Sequence, residues 1–489
     1  MAFHWDEGFH LLAARFISAG KRPYLDFLFA QAPLNAYWVA LWFWLFHPSW
    51  RLPHALAACE TWTAVLLIAR YQWKRFPVEE CRLAAALLAA ALFGLFAWIY
   101  DFGTIAQAYA FCLLATVAAF RMAVAARERS AWWPAVAAGA LAGAAVSASL
   151  LTAAMLPAML AWLWFYNETG NRWGKAAAFA AGAVLPAIPP LRLWLEAPRQ
   201  VWFELVSYHA LYRRVAWPGA TPHDIDVLSF WIQDSQQVIL LGLAIAGWVA
   251  MRKGEWAAAR RAEWQLCAWL VLAVAVQNVF AHPTFSQYFI FGVPFLAVLA
   301  GAGFYALYAR LGPAMRPERA ALLVGCFMLL TLGRSIYQGR DDESWQHLTV
   351  VAKKVNEVTP PNAPAMLQEP LYFLTGRAVP FGMEFDFAHK LDLGKERNRL
   401  FRIVPQAEVE QQIKAGQYAT AALCDEDERV DKIKQMGVYA QKFESDTCTV
   451  FWQPHLKSGI PYRIQYPPAG SITIEKLARN AESADKQIM

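Results

Sequence analysis

Residues 288–309 read Tyr288-Phe-Ile-Phe-Gly-Val-Pro-Phe-Leu-Ala-Val-Leu-Ala-Gly-Ala-Gly-Phe-Tyr-Ala-Leu-Tyr-Ala309, without one charged side chain. A helix of that length crosses about 30 Å of hydrocarbon. Comparable runs stand at 53–70, 83–100, 105–122, 133–149, 150–166, 176–195, 237–251, 265–281 and 320–337, so ten spans are predicted. Composition agrees, because 58% of the 489 residues are hydrophobic and only 17% charged, against roughly 25% charged in soluble domains. The mean hydropathy of +0.27 is modest because the apolar runs stop near 337 and 338–489 is ordinary polar sequence. The chain reads as a polytopic α-helical membrane protein in two parts, 1–337 and 338–489.

Basic residues fall in alternate loops: Arg70, Lys74, Arg75 and Arg82; Arg121, Arg127 and Arg129; Arg172 and Lys175; Arg252, Lys253, Arg260 and Arg261; Arg310, Arg316 and Arg319. The positive-inside rule makes these loops cytoplasmic. The net charge of +6 is thus a topology signal, and no nucleic-acid partner is implied. The loops around Asp101 to Thr104 and His282 to Gln287 carry no Lys or Arg, and they fall on the far side with residues 1–52 and the tail. Leu34 to Phe46 is apolar but too short to cross, and its aromatic residues make it an interfacial helix.

In the tail, Trp345, Leu348, Val351 and Val355 mark an amphipathic helix. Helical patterns near 406–415 and 427–436 alternate with strand-like runs at 364–368, 418–424, 438–443 and 447–452, which predicts a small α/β domain. No nucleotide loop and no catalytic triad motif accompanies it. The seven cysteines include no C-x-x-C, so no structural zinc site is expected. Cys424 and Cys448 share the tail; spacing alone leaves open whether they pair.

The N-terminus holds His4-Trp5-Asp6-Glu7-Gly8, followed by Phe9, Leu12, Ala13 and Phe16 at helical spacing. An amphipathic helix with one apolar face lying in the interface is expected. Two adjacent carboxylates there suit surface chemistry, while an Asp before a helix is also a favoured N-cap and a Glu in the first turn suits the dipole.

Trp5-Asp6-Glu7-Gly8, then Gly20-Lys-Arg-Pro-Tyr-Leu-Asp-Phe27, Gln31-Ala-Pro-Leu-Asn-Ala-Tyr-Trp38 and Arg51-Leu-Pro53, resembles the first external loop of bacterial GT-C glycosyltransferases, such as lipid A aminoarabinose transferases and protein O-mannosyltransferases. His282-Pro-Thr-Phe-Ser-Gln-Tyr288 with Pro294, and Leu371-Tyr-Phe-Leu-Thr-Gly-Arg377, resemble later segments of that family. The family's first span, which leads into the acidic loop, is expected ahead of His4 and is missing from this sequence.

The resemblance implies a sugar donor carried on a polyprenyl phosphate, a glycan, lipid or protein acceptor, a bilayer setting in the plasma membrane, and usually inversion. It implies Asp6 as base with Glu7 second. For the donor phosphate the sequence offers Arg213 and Arg214, with His282 and Tyr288 as alternatives; two such arginines also suit lipid headgroups. Asp26, Asp101 and His209 are candidates for acceptor contact or loop support. Some members hold a divalent metal between acids of these loops, here Asp6 and Asp101, and others use none. The competing class is a transporter or lipid-linked-sugar flippase, for which Glu60 inside a span is the one pointer.

Overall fold

The structure is a computed structural model and describes residues 3–212, 219–311, 315–340, 343–424, 428–445 and 447–454. All ten predicted runs are helical, but they are not ten uninterrupted rods. Among the described residues, seven helices are long and apolar enough to cross a membrane: Arg51–Arg75, Tyr109–Glu128, Arg172–Glu196, Ser235–Arg252, Glu255–Val279, Ser286–Leu311 and Pro317–Gln338. An eighth, Glu79–Gly94 with Ala97–Gly103, bends by 57°, and Trp133–Ala148 and Leu150–Tyr166 are shorter apolar helices.

The interruptions have a common physical basis. A broken helix in lipid leaves backbone groups that need partners. At the 57° bend, Gln236 accepts from Ala97 N at 2.7 Å and donates to Leu95 O at 3.1 Å. Between the two short helices, Gln277 accepts from Ala154 N at 2.6 Å and donates to Leu150 O at 2.7 Å. One glutamine amide thus stands in for the missing backbone partners at each break. Elsewhere the helices pack by small residues. A Cβ on Gly139 would lie 1.9 Å from Phe179 O, so only glycine lets these two backbones meet.

Two helices precede the first span, α1 (Glu7–Ser18) and α2 (Leu34–Phe46). Helix α3 (Arg51–Arg75) is that span. At the far end of α3, buried Glu263 accepts from Tyr71 Oη at 2.7 Å and from Arg75 Nε at 3.0 Å. Arg75 also pairs with Glu128, so three spans are tied where the basic loops lie.

The tail has the elements its pattern predicts. Strands β1 (Ala365–Leu367), β2 (Thr420–Cys424), β3 (Tyr439–Glu444) and β4 (Cys448–Pro454) form one sheet in the order β1-β2-β4-β3. The first pair is parallel and the others antiparallel. Cys424 and Cys448 oppose each other across β2 and β4 and are joined as a disulfide, which answers the question their spacing left open.

Helix α1 departs from expectation. It does not lie with one face in the interface, because residues 7–14 and Phe16 are all buried. The helix is sandwiched between the membrane part and the sheet domain, and the residues from Phe9 to Trp50 share one hydrophobic core with those from Trp345 to Phe451. Trp50 stacks on Trp345, with centroids 5.9 Å apart, and Phe9 meets Phe385 edge-on at 5.0 Å. Arg15 donates to Tyr372 O and Gly376 O at 2.8 and 2.7 Å, which caps the C-terminus of the helix Glu369–Thr375.

Gly8 permits this docking, since a Cβ there would fall 2.4 Å from Pro370 Cδ in the ring. Gly8→Ala is expected to lower the unfolding temperature and cost about 1–3 kcal/mol by overpacking. Limited proteolysis should then release the sheet domain from Gly8→Ala protein faster than from wild type.

Candidate functional site

A cavity of about 690 Å³ opens among the start of α1, residues 107–109, 149–151, 205–209 and 277–288 of the membrane part, Gln31 and Ala32, and residues 385–391 of the sheet domain. Asp6, His209, His282 and Tyr288 all line it. The structure thus brings four of the sequence candidates to one space.

Asp6 precedes the first residue of α1, but its side chain makes no capping hydrogen bond. The N-cap role is therefore not what occupies this carboxylate. Its backbone N–H donates to His4 Nδ1 at 3.3 Å, and Gln107 Nε2 lies 3.3 Å from the same nitrogen. With two donors aimed at it, Nδ1 serves as a lone-pair acceptor, so the 3.8 Å approach of Asp6 Oδ2 is no ion pair. The Asp6 carboxylate, 28% exposed, faces the cavity.

Glu7 has a different environment. It is wholly buried. Oε2 lies 2.6 Å from His54 Nε2 and accepts from Ala106 N at 2.8 Å. Oε1 accepts from His4 N at 3.0 Å and from Trp345 Nε1 at 3.4 Å. This carboxylate is absent from the cavity lining and fastens α1 to α3 and to the sheet domain.

The loop 28–32, which supplies Gln31 and Ala32 to the cavity, is held by the π-helix Phe203–Tyr212. Glu204 accepts from Phe29 N, and His209 Nε2 donates to Ala30 O, both at 2.6 Å. These side chains are five residues apart, and the i→i+5 repeat of a π-turn puts them on one face. Burial pushes the Glu204 carboxyl well above the usual carboxylate range. Asp26 instead closes a turn, accepting from Arg22 N at 2.7 Å. Neither Asp26 nor Asp101, which lies on the short helix Ala97–Gly103, lines the cavity. Arg213 and Arg214 lie outside the described residues.

Three cavity residues carry no mark in the sequence reading. His10 sits one helical turn after Asp6, a spacing that could have flagged it; burial, with His4 nearby, holds its imidazole down at about 3 and so neutral. Lys390 and Phe387 come from the sheet domain, and no local pattern announces them. Their segment is set by a buried pair: Glu369 Oε1 accepts from Asp386 N at 2.6 Å, while Arg429 grips Asp386 through two bonds of 2.6 Å. Glu369 is pushed up to about 8, by burial first and then by the Asp386 charge.

Neither Asp6 nor Asp101, between which the resemblance allows a metal, belongs to a group of three metal-ligating side chains among the described residues. Among the described residues the only group with three ligating atoms in reach is Glu343, His347 and Cys448. Cys448 is spent in the disulfide, and both His347 nitrogens are engaged, with Glu343 at 2.8 Å and Ser445 at 2.5 Å. These residues do not fit a bound metal. Glu60, the pointer to transport, accepts from Trp38 Nε1 of α2 at 2.8 Å. This bond ties α2 to α3.

No protein-family model and no curated protein matches this chain. Solved structures do. ArnT from Cupriavidus metallidurans bound to undecaprenyl phosphate superposes with a TM-score of 0.63 at 14% identity, over 92% of this chain and 94% of that one. Its apo state gives 0.65 at 14% identity, over 92% and 93%. The Archaeoglobus fulgidus oligosaccharyltransferase in complex with Zn and sulfate gives 0.50 at 13% identity, over 76% of this chain and 57% of that one. The helical body and its docked sheet domain define a multi-pass membrane protein of the GT-C fold. Within that fold, the arrangement is similar to that of ArnT along nearly the whole of both chains.

Two stability tests follow from the buried acids. Glu7→Ala strips a buried hub and is expected to cost about 3–5 kcal/mol, read as loss of folded protein in detergent. For Glu369, a folded-state value raised from 4.5 to about 8 means folding takes up a proton between those limits. Stability is therefore fully favoured below 4.5 and lost as pH rises through 8. The unfolding temperature of wild type should fall across that window, and Glu369→Gln should flatten the fall. Asp386, which Arg429 holds low against the effect of burial, acts below its ordinary 3.8 and leaves this window clear.

Proposed function

We propose that this chain is a membrane glycosyltransferase that moves a sugar from a polyprenyl-phosphate donor to an extracytoplasmic acceptor. The observation that carries this reading is the Asp6 carboxylate facing a 690 Å³ cavity in a chain of GT-C fold. The cavity is walled by both the membrane part and the sheet domain, so a lipid-borne donor and a glycan, lipid or protein acceptor can meet there. ArnT, of the same architecture, was crystallised bound to undecaprenyl phosphate. The Cys424–Cys448 disulfide suits an oxidising compartment, and the basic loops suit the cytoplasmic side of the plasma membrane; both support an external site.

In the proposed reaction Asp6 accepts the proton of the acceptor nucleophile. The nucleophile forms its bond to the anomeric carbon from the face opposite the leaving group, which inverts configuration. The bond from that carbon to the phosphate oxygen breaks, and the electron pair leaves with polyprenyl phosphate. His282 and Tyr288, at the cavity wall, are assigned to that phosphate, with Arg213 and Arg214 assigned from sequence. Glu7 supports Asp6 by fixing α1 and does no proton transfer.

Purified protein in lipid nanodiscs, given a panel of polyprenyl-phosphate sugars and acceptor-bearing membranes, is expected to consume one donor, as followed by mass spectrometry. Asp6→Asn should lower the rate about 10²–10⁴-fold with the unfolding temperature unchanged. Equal rates for both proteins would remove Asp6 as the base, and no donor consumption would remove the glycosyltransferase reading.

A further inference from the structure

One side chain outside the cavity sets the state of one inside it. Asp224, on the helix Ala220–Gln233, is not among the residues that line the cavity. Its Oδ1 accepts from Thr284 N at 2.6 Å, and its Oδ2 lies 2.5 Å from His282 Nδ1. A carboxylate can only accept, so the hydrogen of that contact sits on Nδ1. Nε2 is then the ring nitrogen left for the cavity, where His282 is 30% exposed. The rest of the loop is fixed separately: Thr284 Oγ1 donates to Asn278 O at 2.8 Å, and Asn278 Nδ2 donates to Tyr288 O at 2.9 Å. Asp224 is thus not needed to place Tyr288.

A ring that gives Nδ1–H to Asp224 can offer Nε2–H only as the imidazolium, and the neighbouring carboxylate is the counter-charge of that form. We propose that Asp224 is a positioning residue that presents His282 as a cationic hydrogen-bond donor to the phosphate of the polyprenyl carrier. This rests on the donor class proposed above. It assigns the phosphate contact to one nitrogen and explains why an acid lies behind a residue meant to bind an anion: it orients the ring and supplies its counter-charge.

The test measures binding of undecaprenyl monophosphate to the full chain in nanodiscs, with undecaprenol as the control that lacks phosphate. Wild type should prefer the phosphate. His282→Gln should weaken phosphate binding about 10- to 100-fold and leave undecaprenol binding unchanged. Asp224→Asn keeps an acceptor for Thr284 N but turns an N–H₂ toward Nδ1, which leaves Nε2–H on a neutral ring, and should weaken binding about 3- to 10-fold, less than His282→Gln does. The double variant should be no weaker than His282→Gln alone, because both act through one contact. Asp224→Glu, which keeps the charge, should bind nearly as wild type, and it carries the test if the asparagine variant does not fold. Wild-type binding by Asp224→Asn, losses that multiply in the double variant, or a loss in Asp224→Glu equal to that of His282→Gln would overturn the assignment. A wild type that does not distinguish the two lipids would instead overturn the donor class itself, and the assignment with it.

Discussion

Everything at the cavity depends on a carboxylate that never reaches it. Glu7 is buried with four partners from three parts of the chain: His4 from its own segment, His54 and Ala106 from the membrane helices and the loop between them, and Trp345 from the sheet domain. A buried carboxylate without partners is strongly unfavourable, so these groups have to converge for the chain to fold. Because Glu7 is locked, its neighbour Asp6 is placed as well, one residue round the helix and toward open space. The two acids look alike in sequence, yet one is a structural hub and the other faces the cavity.

Helix α3 extends this logic across the membrane. His54 lies in its first turn and Arg75 at its last residue, about 30 Å apart at 1.5 Å per residue. A buried glutamate meets each end, Glu7 at the cavity and Glu263 at the basic loops. The first span is thus fixed at both surfaces by charged contacts, with the hydrogen bonds of Glu60 to Trp38 and of Thr61 to Gly103 O between them. The sheet domain is joined at only one of those surfaces, through Trp345, Gly8 and Arg15, and it is as much a wall of the cavity as the membrane helices are.

Much of this architecture was legible because it rests on periodicity. Apolar runs gave the helices, and short strand-like runs between the helical patterns of the tail gave the four strands. The break at Leu95 was not legible, since the apolar pattern continues through it and the amide that satisfies it comes from a distant helix, whereas 133–149 and 150–166 already read as separate runs. The same holds at the site. Asp6, His209, His282 and Tyr288 were visible as polar residues in loops that a membrane protein has little reason to keep. Asp224 was not, because Thr221-Pro-His-Asp224 shows nothing local that points to a histidine 58 residues later. Lys390 depends on domain docking, and docking depends on the shape of Gly8 against Pro370, which no spacing rule encodes. The expected interfacial seat of α1 failed for the same reason: amphipathicity reports an apolar face and is silent about what covers the other.

The π-helix Phe203–Tyr212 carries a consequence for how this chain can vary. Glu204 and His209 grip successive residues, Phe29 and Ala30, and they share a face only while the turn holds its wider repeat. In an α-helix, residues five apart diverge by about 140° around the axis, from 3.6 residues per turn. A segment of the same length wound as an α-helix would swing one of the two grips away from the loop, whereas an α-helix one residue shorter between them would set them four apart, about 40° around the axis, and keep both. The wider turn therefore accommodates one extra residue without releasing either grip, and the winding and the length of this segment have to change together if the loop beside the cavity is to stay held.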